Sequence, residues 1–261
     1  METERFQLPN GAYLSYAEYG APGGKPLLLL HGLVGSVRPD GLKDRLQMFP
    51  LRVIALARPG YGDSNYFDMD CVADWGRHLI GFFEYLGIQR FDVLGISAGA
   101  PYAYSLAALY PNQVGTVYIN SGMPAVCLPE VLAQYPSRDA ALYNRFRSMS
   151  RQEVGTFLYE SYLPALPKKV LQSQDFQDSM GEDLRNIGQE AKLQGIPWGF
   201  ELSEVQCPVV LIHGTADSEV PYSAMQETSK YISNARIITL EGEEHASPTI
   251  EARLMEELLS G

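Results

Sequence analysis

The chain has 261 residues, 46% of them hydrophobic and 20% charged. That balance supports a substantial core in one domain with room for an inserted unit, and it excludes a disordered chain. The formal net charge of −11 argues against nucleic acid, anionic membrane surfaces and polyanionic substrates as partners.

The first residues, Met1 to Phe6, lack a basic stretch followed by an apolar one, so no signal peptide is read and a cytoplasmic location is expected. Segments 4–8 and 13–18 alternate in polarity around Pro9-Asn10-Gly11 and predict an antiparallel hairpin. Runs at 26–30, 52–57, 91–96, 114–120, 208–212 and 235–240 predict strands buried on both faces. Helical spacing predicts helices over 70–86, 98–110, 221–232 and 247–259. Strands alternating with helices predict an α/β fold with a mostly parallel sheet covered on both faces. Aliphatic runs such as 27–30 are too short to cross a bilayer.

Between the strands at 114–120 and 208–212 the alternation stops. Residues 121–205 are helix-leaning, punctuated by proline and rich in aromatics. A plain loop of that length is improbable, and an inserted helical cap is expected. The domain reading is therefore a core of 1–120 and 206–261 with a cap of 121–205. Within the cap, Arg138, Arg145, Arg147 and Arg151 form a local basic cluster, read as a solvated helix face, with a carboxylate-bearing substrate as the alternative.

Gly95-Ile96-Ser97-Ala98-Gly99 follows a strand and opens a helix. That context turns G-x-S-x-G into a nucleophile elbow, with Ser97 exposed at a helix N-terminus that favours a developing anion. A serine nucleophile needs a base, and the base an orienting acid. Of the four histidines, His78 lies mid-helix, and His31 and His213 each end a strand before glycine, where a structural role is expected. His245 follows the last strand at the same sheet edge as Ser97 and is the expected base. Asp217, just past the strand at 208–212, is the expected acid, with Glu219 and Asp63 as competitors. Asn120-Ser121-Gly122 offers no carboxylate after the strand at 114–120. The oxyanion donors are expected to be the N–H groups of Ala98 and Leu33, with Val34 as the fallback. Met123, Leu33 and Trp198 are expected pocket walls. The three cysteines are widely spaced, form no metal-like cluster and are read as free thiols in a reducing compartment.

Together, His31-Gly32, Arg58-Pro59-Gly60-Tyr61-Gly62-Asp63-Ser64, the Ser97 elbow, His213-Gly214-Thr215-Ala216-Asp217 and Gly242-Glu243-Glu244-His245 resemble the α/β-hydrolase superfamily. They are collinear and span nearly the whole core, and Pro197-Trp198-Gly199-Phe200 is similar to the end of the cap in single-domain bacterial members. The resemblance implies an eight-stranded sheet, a cap inserted after the sixth strand and no cofactor or metal. Serine at 97 sets aside members with an aspartate nucleophile. Proline iminopeptidases carry Gly-Gly-Ser-Trp-Gly at the elbow, where this chain has Gly-Ile-Ser-Ala-Gly.

The expected activity is hydrolysis of a small or medium, largely apolar ester by a monomer or homodimer. A peptidase of small N-terminal residues, a C–C bond hydrolase or an acyltransferase would use the same triad. A ligand-binding protein that keeps the fold without the chemistry is the reading from another class.

Overall fold

A computed structural model describes residues 3–38 and 41–260. The ends of the expected core, Met1, Glu2 and Gly261, lie outside the described residues. In chain order the first half contains β1 (Glu4–Gln7), β2 (Tyr13–Gly20), β3 (Lys25–Leu30), α1 (Leu42–Leu46), β4 (Leu51–Leu56), α2 (Val72–His78), α3 (Phe82–Tyr85), β5 (Phe91–Ile96), α4 (Ala100–Leu109) and β6 (Val114–Asn120). Six helices follow: α5 (Pro129–Leu132), α6 (Ser137–Ser148), α7 (Arg151–Ser161), α8 (Lys168–Leu171), α9 (Gln174–Ser179) and α10 (Arg185–Gln194). The chain then returns through β7 (Val209–Gly214), α11 (Tyr222–Ser229), β8 (Ala235–Leu240) and α12 (Pro248–Ser260).

The strands form one sheet in the order β1-β2-β4-β3-β5-β6-β7-β8. β2 is antiparallel to both of its neighbours, and the other pairs are parallel. This is the expected mostly parallel eight-stranded sheet. Successive residues of β3 alternate between two cores: Leu28 and Leu30 enter one cluster, Leu27 and Leu29 the other. Both faces are therefore covered, and each buried leucine contributes roughly 1.5–3 kcal/mol. β4 and β5 flank β3 on opposite sides, so the order reverses there. That reversal opens a crevice beyond the carboxyl ends of β3 and β5.

Two expectations need correction. The helix expected over 70–86 is two helices, because Gly81 adopts φ 82° and breaks the ladder between α2 and α3. β8 is a sheet edge and is half-exposed, so it is not buried on both faces as expected. The insertion arginines lie on a largely solvated face, as expected: Arg138, Arg145 and Arg147 are exposed and Arg151 is half-buried. Arg147 Nε donates to Gly195 O at 2.7 Å, Arg151 Nη2 to Met69 O at 2.6 Å, and Arg145 lies over the Phe157 ring. Arg138 has no described partner.

Local chemistry sets the breaks in the insertion. Ser150 caps α7 reciprocally with Glu153, accepting the Glu153 N–H at 3.2 Å while its own N–H donates to Glu153 Oε2 at 2.7 Å. α4 stops at Leu109 because Pro111 disfavours helical backbone at Tyr110. Among the described residues no helix is long and apolar enough to cross a membrane.

Candidate active site

Ser97 stands between β5 and α4 with φ 49°. A non-glycine residue there carries strain on the order of 1–3 kcal/mol, which the surrounding structure must overcome. Two backbone bonds do so: the Ser97 carbonyl accepts the N–H of Ala100 and, at 2.9 Å, that of Met123. The crossing of strand and helix is tight. A Cβ at Gly99 would lie 2.3 Å from Leu30 O and 2.8 Å from His31 O, so only glycine fits.

His245 lies in the loop between β8 and α12. Its Nε2 is 3.1 Å from Ser97 Oγ, and its Nδ1 is 2.8 Å from Asp217 Oδ2. Asp217 follows β7, and its other oxygen accepts the N–H groups of Glu219 at 3.0 Å and Val220 at 2.8 Å. The structure thus brings the three expected residues into one chain of contacts. Of the competitors, Glu219 accepts the Tyr162 hydroxyl at 2.8 Å, and Asp63 binds Thr3 and Arg38.

The electrostatics follow from burial and pairing. Burial alone would raise the Asp217 carboxyl. Hydrogen bonds from His213 and His245, the His245 charge and the Val220 N–H outweigh it and hold the group well below the usual carboxylate range. Burial likewise disfavours protonated His245, but the Asp217 hydrogen bond and the charges of Asp217 and Glu219 prevail, and its pKa is raised. His31 goes the other way: burial, then the Arg58 charge, keeps it neutral. Burial pushes the Cys127 and Cys207 thiols up to about 11, so neither is a thiolate nucleophile at neutral pH.

His213 does more than turn the chain. Its Nε2 is 2.9 Å from Val220 O and 3.2 Å from Asp217 Oδ2, so it braces the loop that carries Asp217. Sequence reading missed this bracing. The available signal was the four-residue spacing from His213 to Asp217 at the end of a strand. Ser121 is a second such support: its hydroxyl accepts the Ala246 N–H at 2.9 Å, steadying the residue after His245. Both Ser121 and Ala246 have positive φ.

The crevice above Ser97 is a cavity of about 590 Å³. One wall is the loop after β3, including Leu33 and Val34; Ile96 and His245 line it beside Ser97. The opposite wall is Tyr162, Leu166 and Val170 of the insertion. Its lining is also polar: Lys43 pairs with Asp175 at 2.9 Å, Tyr162 with Glu219, and Lys169 and Glu251 line it as well. None of the four insertion arginines lines it, which removes the reason for expecting them to bind a substrate carboxylate.

Leu33 lines the cavity as expected, and a Cβ placed on Gly32 would lie 3.5 Å from Ser97 Cβ. No hydrogen bond among the described residues engages the Leu33 N–H. Ala98 directly follows Ser97. The other expected walls are corrected. Trp198 is buried in the core cluster on the opposite sheet face from Leu27 and Leu29. Its ring stacks on Tyr104, and its Nε1 donates to Gln194 O. Met123 is tied to Ser97 through its backbone, but its sulfur faces the Tyr135 and Tyr143 hydroxyls and does not line the cavity. Among the described residues no group of three or more His, Cys, Asp or Glu could hold a metal ion.

Residues 27–257 match the family model described as "Alpha/beta hydrolase family". The chain belongs to this family. Among its relatives is a bifunctional esterase/perhydrolase, DCH, of Acinetobacter calcoaceticus, 27% identical over 77% of this chain and 77% of its own length. The 2-hydroxy-6-oxononadienedioate/2-hydroxy-6-oxononatrienedioate hydrolase of Burkholderia vietnamiensis is also 27% identical, over 76% of this chain and 73% of its own length. Among solved structures, the esterase EaEST of Exiguobacterium antarcticum superposes with a TM-score of 0.75 at 17% identity, covering 99% of this chain and 98% of that one. The α/β-hydrolase chain is thus a hydrolase by family, and relatives of equal identity carry different activity names.

Proposed function

We propose that this α/β-hydrolase is a serine hydrolase that cleaves carboxylic esters of small or medium, largely apolar substrates beneath a helical cap. The observation that carries the reading is the line Ser97 Oγ, His245 and Asp217, at 3.1 and 2.8 Å, opening on a cavity whose walls include Leu33, Val34, Ile96, Leu166 and Val170. In this mechanism Ser97 Oγ attacks the carbonyl carbon as its proton passes to His245 Nε2. Asp217 holds Nδ1–H and stabilises the imidazolium. The Leu33 and Ala98 N–H groups receive the oxyanion. Collapse expels the alcohol, which takes the proton from His245. Water then attacks the acyl-enzyme with His245 again as base, releasing the acid and restoring Ser97.

The experiment is turnover of p-nitrophenyl acetate and butyrate, with mass spectrometry of Ser97 after a fluorophosphonate probe. Ester turnover together with a Ser97 adduct is expected. Absence of both would favour the ligand-binding protein. Faster cleavage of an aminoacyl amide or a β-diketone than of either ester would replace the ester reading with the peptidase or the C–C hydrolase. The three cysteines are free thiols, which fits a reducing compartment, and we place the enzyme in the cytoplasm.

The raised His245 pKa gives a pH prediction with a definite sign. The base must be neutral, so kcat/KM falls as pH drops through an apparent pKa above the ordinary histidine value. Glu219 is one source of that rise. Glu219→Gln removes its negative charge, so the acid limb of the kcat/KM profile moves to lower pH and the ratio of activity at acidic to neutral pH increases. A limb that stays in place or moves up would contradict this coupling.

A further inference from the structure

The loop that carries Leu33 is gripped from behind by a buried ion pair that spans core and insertion. Arg58, just past β4, is fully buried. Its Nη1 donates to His31 O at 2.6 Å and its Nη2 to Gly32 O at 2.8 Å. Tyr61, three residues on, donates its hydroxyl to Leu33 O at 3.1 Å. Three consecutive carbonyls of the loop after β3 are thus held by side chains of the loop after β4.

The counter-charge comes from the insertion. Glu190 of α10, also buried, sits with Oε2 at 2.9 Å from Arg58 Nε. That approach is a charge contact without a directed hydrogen bond. Its other oxygen accepts the Tyr102 hydroxyl of α4 at 2.8 Å. The guanidinium lies over the rings of both Tyr61 and Tyr102, 5.2 and 5.0 Å from their centroids.

A peptide unit is planar and trans, so its C=O and N–H point in opposite directions. Gly32 O and Leu33 N–H belong to one such unit, and Leu33 O and Val34 N–H to the next. Fixing the oxygens from behind therefore aims the N–H groups of Leu33 and Val34 away from Arg58. A charged donor on Gly32 O also polarises that peptide and strengthens its N–H as a donor. Buried ion pairs are weak stabilisers of a fold, because desolvation offsets their attraction. Stability alone is therefore a poor reason for this one.

We propose that Arg58 and Tyr61 are positioning residues that aim the oxyanion donor of Leu33, and that Glu190 makes their alignment depend on the seating of α10. The inference rests on the serine-hydrolase reading above. Neither residue touches substrate; they act through the Leu33 peptide.

The test uses the full chain, with rates per active site titrated by the fluorophosphonate, and two inhibitors of the same shape. A trifluoromethyl ketone adds Ser97 to its carbonyl and places an oxyanion in the site; the methyl ketone binds largely as the ground state. Arg58→Lys keeps the charge but cannot reach both carbonyls and Glu190 together. It is expected to lower kcat by at least about tenfold with little change in KM. It should also narrow the affinity ratio of the two ketones by a similar factor and leave the acid limb of the pH profile in place. Glu190→Gln should shift the same ratio in the same direction. Tyr61→Phe removes one hydroxyl and serves if Arg58→Lys does not fold; it should narrow the ratio by a few-fold. Unchanged ratios in variants that fold and titrate would overturn the proposal, as would equal losses for the two ketones. Failure of the parent protein to turn over ester or bind the trifluoromethyl ketone would instead overturn the serine-hydrolase reading.

Discussion

Ser97→Ala is expected to abolish ester hydrolysis while leaving the fold in place. The substitution removes one oxygen and keeps the backbone bonds from the Ser97 carbonyl to Ala100 and Met123 that hold the strained turn. Alanine tolerates φ 49° about as poorly as serine does, so the elbow's strain is unchanged. What disappears is the nucleophile and with it the acyl-enzyme. A loss in kcat of roughly 10⁴-fold or more is expected, the residue being whatever the oxyanion donors achieve with water alone. The measurements are kcat on p-nitrophenyl butyrate, fluorophosphonate labelling and the thermal midpoint. A variant that retains more than about one-hundredth of the parental kcat would remove Ser97 from the chemistry.

Asp217→Asn should cost nearly as much by a different route. The Asp217 carboxylate accepts from both sides: Oδ1 from the Glu219 and Val220 N–H groups, Oδ2 from His245 Nδ1. An asparagine can keep its oxygen toward only one of them. Two backbone donors on one side fix the oxygen there and turn the amide NH₂ toward His245. The imidazole then accepts at Nδ1 and carries its proton on Nε2, the wrong tautomer to take a proton from Ser97. The expected fall in kcat is about 10⁴-fold. The NH₂ also meets His213 Nε2, which already donates to Val220 O, so two donors face each other. A lowered thermal midpoint should accompany the loss of activity.

Acid stability should change along with activity. Asp217 has a depressed pKa in the folded state, so it contributes stability above the unfolded carboxylate pKa, and that contribution is lost as pH falls below it. The asparagine variant should therefore lose part of the parent's acid sensitivity. An Asp217→Asn enzyme with parental kcat, or one whose stability depends on acid as the parent's does, would contradict this account.

The strands were legible because buried parallel strands are short apolar runs bounded by turns, and all eight appear near the expected positions. The one long helix that failed did so at Gly81, where apolar spacing continued across a residue with positive φ. The insertion was legible only as helical. Several of its helices are a single turn, α5 and α8 having four residues each, too short to show a period. Trp198 shows why its walls were misread. An aromatic near the end of an insertion has the same local pattern whether it faces a cavity or stacks on Tyr104 in a core. The acceptors of Arg147 and Arg151 were equally hidden, because Gly195 and Met69 are distant in the chain.

By itself the sequence determined the sheet, the turn at Ser97 and the order Ser97, Asp217, His245 of the candidate triad, because strand runs, glycine-flanked turns and scarce histidines are local signals. Tertiary structure decided what surrounds them: the bracing of Asp217 by His213, the walls contributed by Tyr162, Leu166 and Val170, and the grip of Arg58 and Glu190 on the Leu33 loop. Each of these joins residues that only the packing of one element on another brings within a few ångströms, and no local period or spacing encodes that meeting.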